Sequence, residues 1–468
     1  MAVWVRDRSF YKTLLLLSLP VVAQNVVTFG TGFIGNVMVG SLGKYAIAGV
    51  FQANQIQSLL QMILLGTSGA LQVLSTQYWG RRDVDRVKSI VAIAFRLTFV
   101  LTTALWLATV LWPTQIVSLF TNDAPTIAEG VRFLRYAGLS YVFFGISQLL
   151  IQAMRSVEDV KVGFLVSILT FCSSLLLNGI LVKGWFGIAS RGVEGAGIAI
   201  VVARALEAGA MVLYLAFGDR RLRMEFRDLF RFDPLLRRDY YKYGLPVIAG
   251  QLVWATNQLA GNAIVGRLGP EAMSAASIAG MMYMLVSIVS LGVAQGVGII
   301  TGKTVGAGEY EKMKLYARTI QLIFVGIGFL ATFVVLLGAR PLLSLYDVDE
   351  ATRTVALQFM TVLVFTAIGT NYQGMCLGGL VRAGGDTSFV FLNDTIFVFL
   401  TVLPSAFLAA FVFHAPAWVV FACLKSDQLT KVPVAIVKIN RFRWMKNLTR
   451  AKTPDAPVLA AAAAEPAE

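Results

Sequence analysis

The chain has 468 residues, of which 57% are hydrophobic and 14% are charged, and its formal net charge is +14. Soluble domains carry about 25% charged residues, so this composition excludes an ordinary soluble domain and favours a membrane protein. The basic residues lie between apolar segments and form no single stripe, which argues against nucleic-acid binding. The single histidine and three separated cysteines provide no metal-ligand spacing and no basis for a Ser-His hydrolase. We therefore expect no metal, no cofactor and no enzymatic activity.

Twelve apolar segments are long enough to cross a bilayer, which takes roughly 20 helical residues. We predict transmembrane helices at 13–39, 45–79, 88–112, 127–154, 161–183, 192–217, 241–266, 272–302, 312–338, 352–381, 387–413 and 416–440. The chain is thus predicted to be an all-α integral membrane protein. Residues 1–217 and 241–445 would form two six-helix lobes. A basic cytoplasmic loop at 218–240 would join them, and we expect the tail at 446–468 to be cytoplasmic and disordered.

One motif occurs in both halves of the chain. Gly-Asn-Val-Met-Val-Gly-Ser-Leu-Gly at 35–43 returns as Gly-Asn-Ala-Ile-Val-Gly-Arg-Leu-Gly at 261–269, with six of nine residues identical. Because six helices is an even number, both halves enter the membrane from the same side, and such repeats are related by a pseudo-two-fold axis along the membrane normal. The glycines tolerate positive φ and close backbone approach, so we interpret each motif as a tight hairpin between two helices.

Lysine and arginine are unevenly distributed between the two ends of the predicted helices. With the N-terminus inside, 28 of them fall on the cytoplasmic side and eight on the opposite side. The positive-inside rule then places both termini in the cytoplasm, and we expect the protein in the cytoplasmic (plasma) membrane. The loop at 218–240 is either an amphipathic segment on the inner leaflet or an ordinary linker. Its arginines alternate with Leu222, Phe226, Leu229, Phe230 and Leu235.

Several motifs resemble the multidrug and toxic compound extrusion family, and the resemblance extends to about residue 449. They are Met-Val-Gly-Ser-Leu-Gly at 38–43, Val-Gly-Arg-Leu-Gly at 265–269, Gly-Leu-Val-Arg-Ala-Gly-Gly-Asp-Thr at 379–387 and Arg-Phe-Arg-Trp at 441–444. The resemblance implies a secondary antiporter that exports amphiphilic, often cationic compounds against the entry of Na⁺ or H⁺.

The chain departs from this family at three positions. Many relatives carry an aspartate just before the residue matching Asn36, where this chain has Gly35. A second acid, often found in the tenth helix, is replaced by Asn371, and Trp254 stands near a glutamate of some relatives in the seventh. The resemblance therefore does not supply the coupling residues of this chain.

Coupling to an ion requires groups inside the membrane that bind a cation or change charge, and such groups are expensive there. Apart from Glu129 and Glu194, each at the third residue of a predicted helix, three acids fall within the predicted helices: Glu207, Asp394 and Asp427. Glu207 lies three residues after Arg204 and on the same helix face. The two form either a structural pair or part of a coupling site.

Asp394 has apolar neighbours and no base nearby on its own helix. It is either an unpaired acid suited to carrying a proton, or the partner of Lys425 or Lys431 on the last helix. Asp427 and Lys431 form an i,i+4 pair in the favourable order. We hypothesise that Asp394 and Asp427 face one another across a cavity in the C-terminal lobe.

Neutral side chains complete the candidate sites. Asparagine oxygens either contribute to a sodium site or bond between helices, and the candidates for ion coupling are Asn36, Asn178 and Asn371. The C-terminal lobe is rich in methionine and aromatic side chains, which either form a promiscuous, cation-attracting surface or pack in the core. The candidate substrate-cavity residues are Trp254, Asn257, Met282, Tyr283, Tyr372 and Met375.

Three functions compete at this point. The first is a cation-coupled exporter of organic cations or amphiphiles, acting as a monomer in the lipid bilayer with Na⁺ or H⁺ as the coupling ion. The second is a flippase for lipid-linked saccharides from the same wider superfamily, which would favour a strongly cationic cavity. Arginines deep within the predicted helices are few (Arg96, Arg204), which argues against it. The third is a membrane-embedded enzyme, which the single histidine and the lack of metal-ligand spacing argue against.

Overall fold

The computed structural model describes residues 4–40, 42–346 and 348–450, and the regular structure in these ranges is helical throughout. The N-terminal half contains α1 (Arg8–Gly40), α2 (Lys44–Gly80), α3 (Val84–Leu111), α4 (Pro113–Ser118), α5 (Ala124–Ala137), α6 (Ser140–Ser156), α7 (Lys161–Leu181) and α8 (Gly192–Leu213). The C-terminal half contains α9 (Pro234–Gly266), α10 (Pro270–Gly306), α11 (Tyr310–Leu343), α12 (Glu350–Gly369), α13 (Thr387–Phe397), α14 (Leu403–Phe407), α15 (Ala417–Leu424) and α16 (Asp427–Asn440).

The twelve predicted transmembrane helices are confirmed as an architecture of two six-helix lobes. In the described part of the chain, nine helices, some lengthened by π-turns, are long and apolar enough to span a membrane, and α5 with α6 makes a tenth. The other two spans are α9, whose first turns carry Arg237, Arg238 and Lys242, and the broken pair α15–α16. Polar residues in these two spans lower their hydropathy without preventing them from completing the lobes.

Three boundaries differ from the prediction for identifiable reasons. The predicted helix at 127–154 is a pair, because α5 and α6 are bent by 50° at their junction. α9 begins at Pro234 and not at 241, since the carboxylate of Asp233 caps it by accepting from the N–H groups of Leu235 and Leu236. The last predicted helix breaks between α15 and α16, within the polar stretch around Lys425.

The packing of the helices repeats between the two halves. In the N-terminal lobe α1 packs on α7, α2 packs on α3 and α5, and α6 packs on α8. In the C-terminal lobe α9 packs on α13, α10 packs on α11 and α12, and α12 packs on α15. Between the lobes α1 packs on α10 and α9 packs on α2, which is one contact and its two-fold mate. The hairpin interpretation is confirmed as well, since Gly43 and Gly269 both have positive φ, at 103° and 118°.

The two lobes meet at one end of the bundle, which we call the terminal face because both described chain ends lie there. A Cβ atom added at Gly306 of α10 would lie 2.0 Å from the carbonyl oxygen of Gln77 of α2. One added at Gly80 of α2 would lie 2.1 Å from the carbonyl oxygen of Lys303 of α10. Such small residues let helix backbones approach directly, so the terminal face is closed.

Toward the opposite end the lobes diverge and leave a cleft. On α1, Ser18 packs on Gly296 of α10, whereas Gly32, two heptads further along the same helix face, has no atom within 4 Å of an added Cβ. On α9, Val247 packs on α2, whereas Trp254, one heptad further, is 45% exposed. The cleft is therefore closed at the terminal face and open at the other.

Residues 446–450, which we expected to be disordered, are ordered and connect distant parts of the fold. The Leu448 N–H donates to Gln77 Oε1 at 2.7 Å, and Arg450 Nη2 donates to Asp239 Oδ1 at 2.8 Å. These bonds fasten the end of the described chain across α2 and α9. The same expectation for 451–468 lies outside the described residues.

Candidate functional site

The C-terminal lobe contains a triad of charged residues on α13 and α16. Lys431 Nζ lies 2.9 Å from Asp394 Oδ1 and 3.1 Å from Asp427 Oδ2, so one ammonium group bridges two carboxylates. The side chains of Lys431 and Asp427 are 5% and 8% exposed, whereas that of Asp394 is 28% exposed. Of the two alternatives for Asp394, the pairing with Lys431 is the one found, and the two aspartates do come together.

Neighbouring helices hold the triad in place. Asp427 lies in the first turn of α16, where the helix dipole stabilises a carboxylate, and Lys431 follows one turn later on the same face. Gln428 Nε2 donates to Asp427 Oδ1 at 3.0 Å, and Gln373 Nε2 donates to Gln428 Oε1 at 2.9 Å. The triad is thereby linked to the π-turn that continues α12 at residues 370–374.

The charges of the triad do not cancel. Within the triad alone two carboxylates share one ammonium, but two further cations lie near enough to act on them electrostatically, Arg382 on Asp394 and Lys425 on Asp427. Buried charges are stable only when they are paired and hydrogen bonded, so an incoming cation has to compete with these positive groups for a carboxylate. Asp394 is the exposed member, so an incoming proton or metal cation meets its carboxylate first.

The N-terminal lobe contains a pair where the C-terminal lobe has a triad. Arg204 Nη1 donates to Glu207 Oε2, and Glu207 is 2% exposed. Glu207 Oε1 accepts from Ser147 Oγ and Gln148 Nε2 of α6, both at 3.1 Å. The Arg204 guanidinium also lies 4.1 Å from the ring centroid of Phe144. Each charge has its own partners, and this geometry favours the structural alternative for the pair.

Ser147 and Gln148 are residues that the sequence analysis missed. Both lie within the apolar run of α6 and bind Glu207 on the neighbouring α8. Two adjacent polar side chains in an otherwise apolar segment were the available signal, since they need partners inside a membrane.

The candidate asparagines are engaged in local contacts. Asn178 Nδ2 donates to the Ser174 carbonyl at 2.8 Å, and Asn371 Nδ2 donates to the Ala367 carbonyl at 2.7 Å. Asn371 Oδ1 also accepts from the Ser290 hydroxyl of α10. Both asparagines are at most 5% exposed. The side chain of Asn36 lies outside the described residues.

The candidate substrate residues are spread over different surroundings. Met282 is 3% exposed and packs in the core with Phe359 and Phe421, while the Tyr372 hydroxyl donates to Gln321 Oε1 at 2.6 Å. Met375 packs partly buried against the core around Tyr372. In this conformation these three belong to the interior of the lobe.

The other three candidates are more accessible or incompletely bonded. Trp254 faces the cleft, and Asn257, three residues later on α9, has a buried Oδ1 atom with no hydrogen-bond partner among the described residues. Tyr283 lies under the ammonium group of Lys425, which is 4.6 Å from its ring centroid. Trp254 is therefore the accessible member of the three, Asn257 keeps its amide oxygen buried, and Tyr283 lies beside a cation of its own.

An ion pair reinforces the closed terminal face. Lys303 Nζ of α10 lies 2.7 Å from Glu158 Oε1 at the end of α6, and Trp79 Nε1 of α2 donates to Glu158 Oε2 at 3.3 Å. This contact crosses from one lobe to the other. It must break before the cleft can open toward the terminal face.

Comparisons with known proteins relate both halves of the chain to one family. The family model described as MatE matches residues 20–181 and again residues 246–408. Probable multidrug resistance protein NorM of Xylella fastidiosa (strain Temecula1 / ATCC 700964) is 27% identical over 383 residues, covering 80% of this chain and 79% of the relative. Probable multidrug resistance protein YoeA of Bacillus subtilis (strain 168) is 22% identical over 409 residues, covering 85% and 87%.

Solved structures share the fold at low sequence identity. A mutant of the Vibrio cholerae MATE transporter VcmN superposes with a TM-score of 0.84 at 15% identity, covering 94% of this chain and 98% of that one. A MOP superfamily transporter from Pyrococcus furiosus gives a TM-score of 0.82 at 15% identity, covering 92% and 96%. The two-lobe arrangement of this chain is thus shared with both.

Proposed function

Because this chain belongs to the MatE family, the multidrug and toxic compound extrusion transporters, we propose that it exports amphiphilic or cationic small molecules in exchange for Na⁺ or H⁺. The observation that carries the coupling part is the triad, in which Lys431 is shared by Asp394 and Asp427. Ionisable groups inside a membrane are rare and mark ion pathways, and Asp394 is the carboxylate of the triad that is most exposed.

The coupling step is a competition for the carboxylate of Asp394. A proton or a sodium ion that binds this carboxylate displaces the ammonium of Lys431, which then pairs with Asp427 alone. Since Lys431 and Asp427 lie on α16 and Asp394 on α13, the exchange loosens the link between two helices of one lobe. A ligand shifts a conformational equilibrium only by binding its two states differently, and this link supplies such a difference.

The cleft supplies a place for the exported compound. Trp254 presents an aromatic face at the point where the lobes diverge, and aromatic faces attract organic cations. We propose that the terminal face is cytoplasmic, so the described conformation is the one that releases substrate outward and admits the coupling cation. Alternating access would then occur in the cytoplasmic membrane, with the monomer as the working unit.

Reconstitution into liposomes with separately imposed sodium and proton gradients tests this proposal. Efflux of a fluorescent organic cation should follow one of the two gradients, and Asp394→Asn should abolish that gradient-driven efflux while the variant is still expressed. The matched control is Asp159→Asn, which removes an acid outside the membrane spans. Efflux that ignores both gradients, or that is unchanged in Asp394→Asn, contradicts the proposal.

The flippase alternative has less support. Arg96 donates to the carbonyl of Leu229, and Arg204 is paired with Glu207, so neither guanidinium is free to bind a pyrophosphate in the cleft. Movement of a lipid-linked saccharide in the same liposomes, without efflux of the organic cation, would favour that alternative.

A further inference from the structure

The connection between α8 and α9 exposes several aromatic side chains. Phe226 and Phe230 are 77% and 69% exposed, their rings meet edge to face at 5.5 Å, and Phe232 is 59% exposed. Exposed phenylalanines this close together form an apolar patch, and such patches mark contact with a membrane or a partner.

The backbone beneath these rings is firmly held. Leu222 and Met224 are buried in the core of the N-terminal lobe. The carboxylate of Asp228 is 3% exposed and lies 2.9 Å from Lys88 Nζ and 2.8 Å from Arg231 Nε. The rings are therefore presented by a fixed turn. The sequence had suggested that Leu222 joins the outer apolar row, but it points inward instead.

The position of this turn along α3 places it near the membrane boundary. Asp85 Oδ1 lies 2.9 Å from Arg231 Nη1 and Lys88 Nζ lies 2.9 Å from Asp228 Oδ2, one and four residues after the start of α3. α3 has 28 residues, hence about 42 Å at 1.5 Å per residue, whereas the hydrocarbon core is roughly 30 Å thick. The first turns of α3 thus extend beyond the hydrocarbon, and the turn at 226–230 packs beside them at the headgroup level.

The segment that carries these rings also carries cations without ion pairs among the described residues. Arg220, Arg223 and Arg238 are exposed, and their side chains form no ion pair within the described chain. The guanidinium of Arg237 lies 4.9 Å from the ring centroid of Phe232. A set of free arginines beside apolar rings at the headgroup level complements a negatively charged headgroup above an acyl chain.

We propose that residues 219–238 form a binding site for anionic phospholipid in the leaflet at the terminal face. Phe226, Phe230 and Phe232 enter the boundary between headgroups and acyl chains. Arg220, Arg223 and Arg238 donate charge-assisted hydrogen bonds to the lipid phosphate. The site is distinct from the cleft and the triad, and it holds the segment between the lobes against the membrane.

Removal of the three arginines tests the electrostatic part. The full-length protein is placed in nanodiscs of phosphatidylcholine alone or of equal parts phosphatidylcholine and phosphatidylglycerol, and retained lipid is measured by native mass spectrometry. The triple variant Arg220→Gln, Arg223→Gln, Arg238→Gln should bind phosphatidylglycerol about 100-fold more weakly, since each arginine near an anionic surface contributes about 1 kcal/mol and 1.4 kcal/mol is a factor of ten.

The matched control removes the same number of positive charges from another part of the terminal face. The variant Arg6→Gln, Arg8→Gln, Arg443→Gln also takes three exposed cations away, and it should retain phosphatidylglycerol like the unaltered protein. Equal loss in both triple variants, or no preference of the unaltered protein for phosphatidylglycerol, overturns the proposal because attraction would then be general or absent.

A depth measurement tests the apolar part without reference to transport. A spin label at Phe226→Cys, in a background without the three native cysteines, should be more accessible to oxygen than to a water-soluble nickel chelate. The control label replaces Glu311, whose side chain is 85% exposed, and it should show the opposite preference. A label at 226 that favours the chelate, or one that becomes protected only when two copies of the protein associate, overturns lipid as the occupant.

Discussion

The last helix of each lobe carries a cation at corresponding positions, but the two cations have different surroundings. Arg204 of α8 and Lys431 of α16 are separated by the same 227 residues that separate Arg155 from Arg382. Arg204 has one carboxylate, and that carboxylate is completed by two neutral donors. Lys431 has two carboxylates, one of them partly exposed.

This difference indicates which lobe can respond to an added cation. A one-to-one pair with all its hydrogen bonds made has nothing to gain from another cation. In the triad one ammonium is shared by two carboxylates, so a cation that replaces Lys431 at Asp394 still leaves Lys431 paired with Asp427. We infer that the N-terminal pair maintains its lobe and that the C-terminal triad senses the coupling ion.

The largest effect is expected from Lys431→Met, which leaves the carboxylates of Asp394 and Asp427 without their shared cation. Removing one partner of a buried ion pair costs about 3–5 kcal/mol. Thermal unfolding in detergent measures this loss, with Lys425→Met as the control because Lys425 lies over aromatic rings and forms no ion pair within the described residues. If the two variants are equally stable, Lys431 does not hold the triad together.

Glu207→Gln should cause the next largest loss of stability. It leaves the mostly buried guanidinium of Arg204 without a carboxylate, at a cost of about 3 kcal/mol. Ion-driven efflux per folded molecule should be preserved, because the pair is structural in this comparison. Both quantities can be measured on one reconstituted sample. A variant of normal stability whose efflux no longer follows the gradient would assign the coupling role to the N-terminal lobe.

The aspartates that follow the fourth and tenth spans extend the comparison. Asp386 Oδ2 and Oδ1 lie 2.7 Å from Lys438 Nζ and 2.8 Å from Lys446 Nζ, whereas Asp159 accepts a single bond from the Tyr214 hydroxyl. Asp386→Asn should therefore destabilise by about 1.5–3 kcal/mol, the usual range for a hydrogen bond to a charged group. Asp159→Asn should have the smaller effect.

The pH dependence of unfolding provides a second measurement on Asp386. Burial opposes ionisation of this carboxyl, but the bonds from Lys438 and Lys446 outweigh burial and hold the pKa of Asp386 below its ordinary value of 3.8. Its stabilisation is therefore fully present above pH 3.8 and is lost as the pH falls through the lowered folded-state value. Asp386→Asn should flatten the stability profile in that acidic range and leave its shape near neutrality unchanged.

The smallest effect on stability is expected from Asp394→Asn. Lys431 keeps its bond to Asp427 in this variant, and the lost partner is partly exposed, so the cost is about 1 kcal/mol or less. Efflux should nevertheless stop following the ion gradient. Calorimetry beside the liposome assay separates the two effects, and a large loss of stability would show that Asp394 is a structural partner like Glu207.

Features of the fold that depend on residues close in sequence could be predicted. The twelve helices follow from hydropathy, and the contacts Arg204–Glu207 and Asp427–Lys431 follow from helical spacing. The bridge from Lys431 to Asp394 could only be left as one alternative, because spacing along one helix does not fix its register against another. The π-turns and the bend between α5 and α6 were missed because packing sets them.

Contacts across long stretches of sequence were the least predictable. The arginine at 450 is bonded to Asp239, more than two hundred residues away, and neither residue carries a local signal of that pairing. A tail that turns polar after its last helix was therefore expected to be disordered. Tertiary hydrogen bonds order its first residues.

The glycine contacts at the terminal face have a consequence for leakage through the membrane. Where Gly80 and Gly306 meet backbone carbonyls of the other lobe, no long side chain can stretch to keep contact as the helices separate. Tightly packed interfaces switch between discrete arrangements and do not deform continuously. This contact between the lobes is therefore either fully closed or fully open. Because glycines have no side chains to bridge a partial gap, partly open intermediates that would let ions bypass the transport cycle are disfavoured.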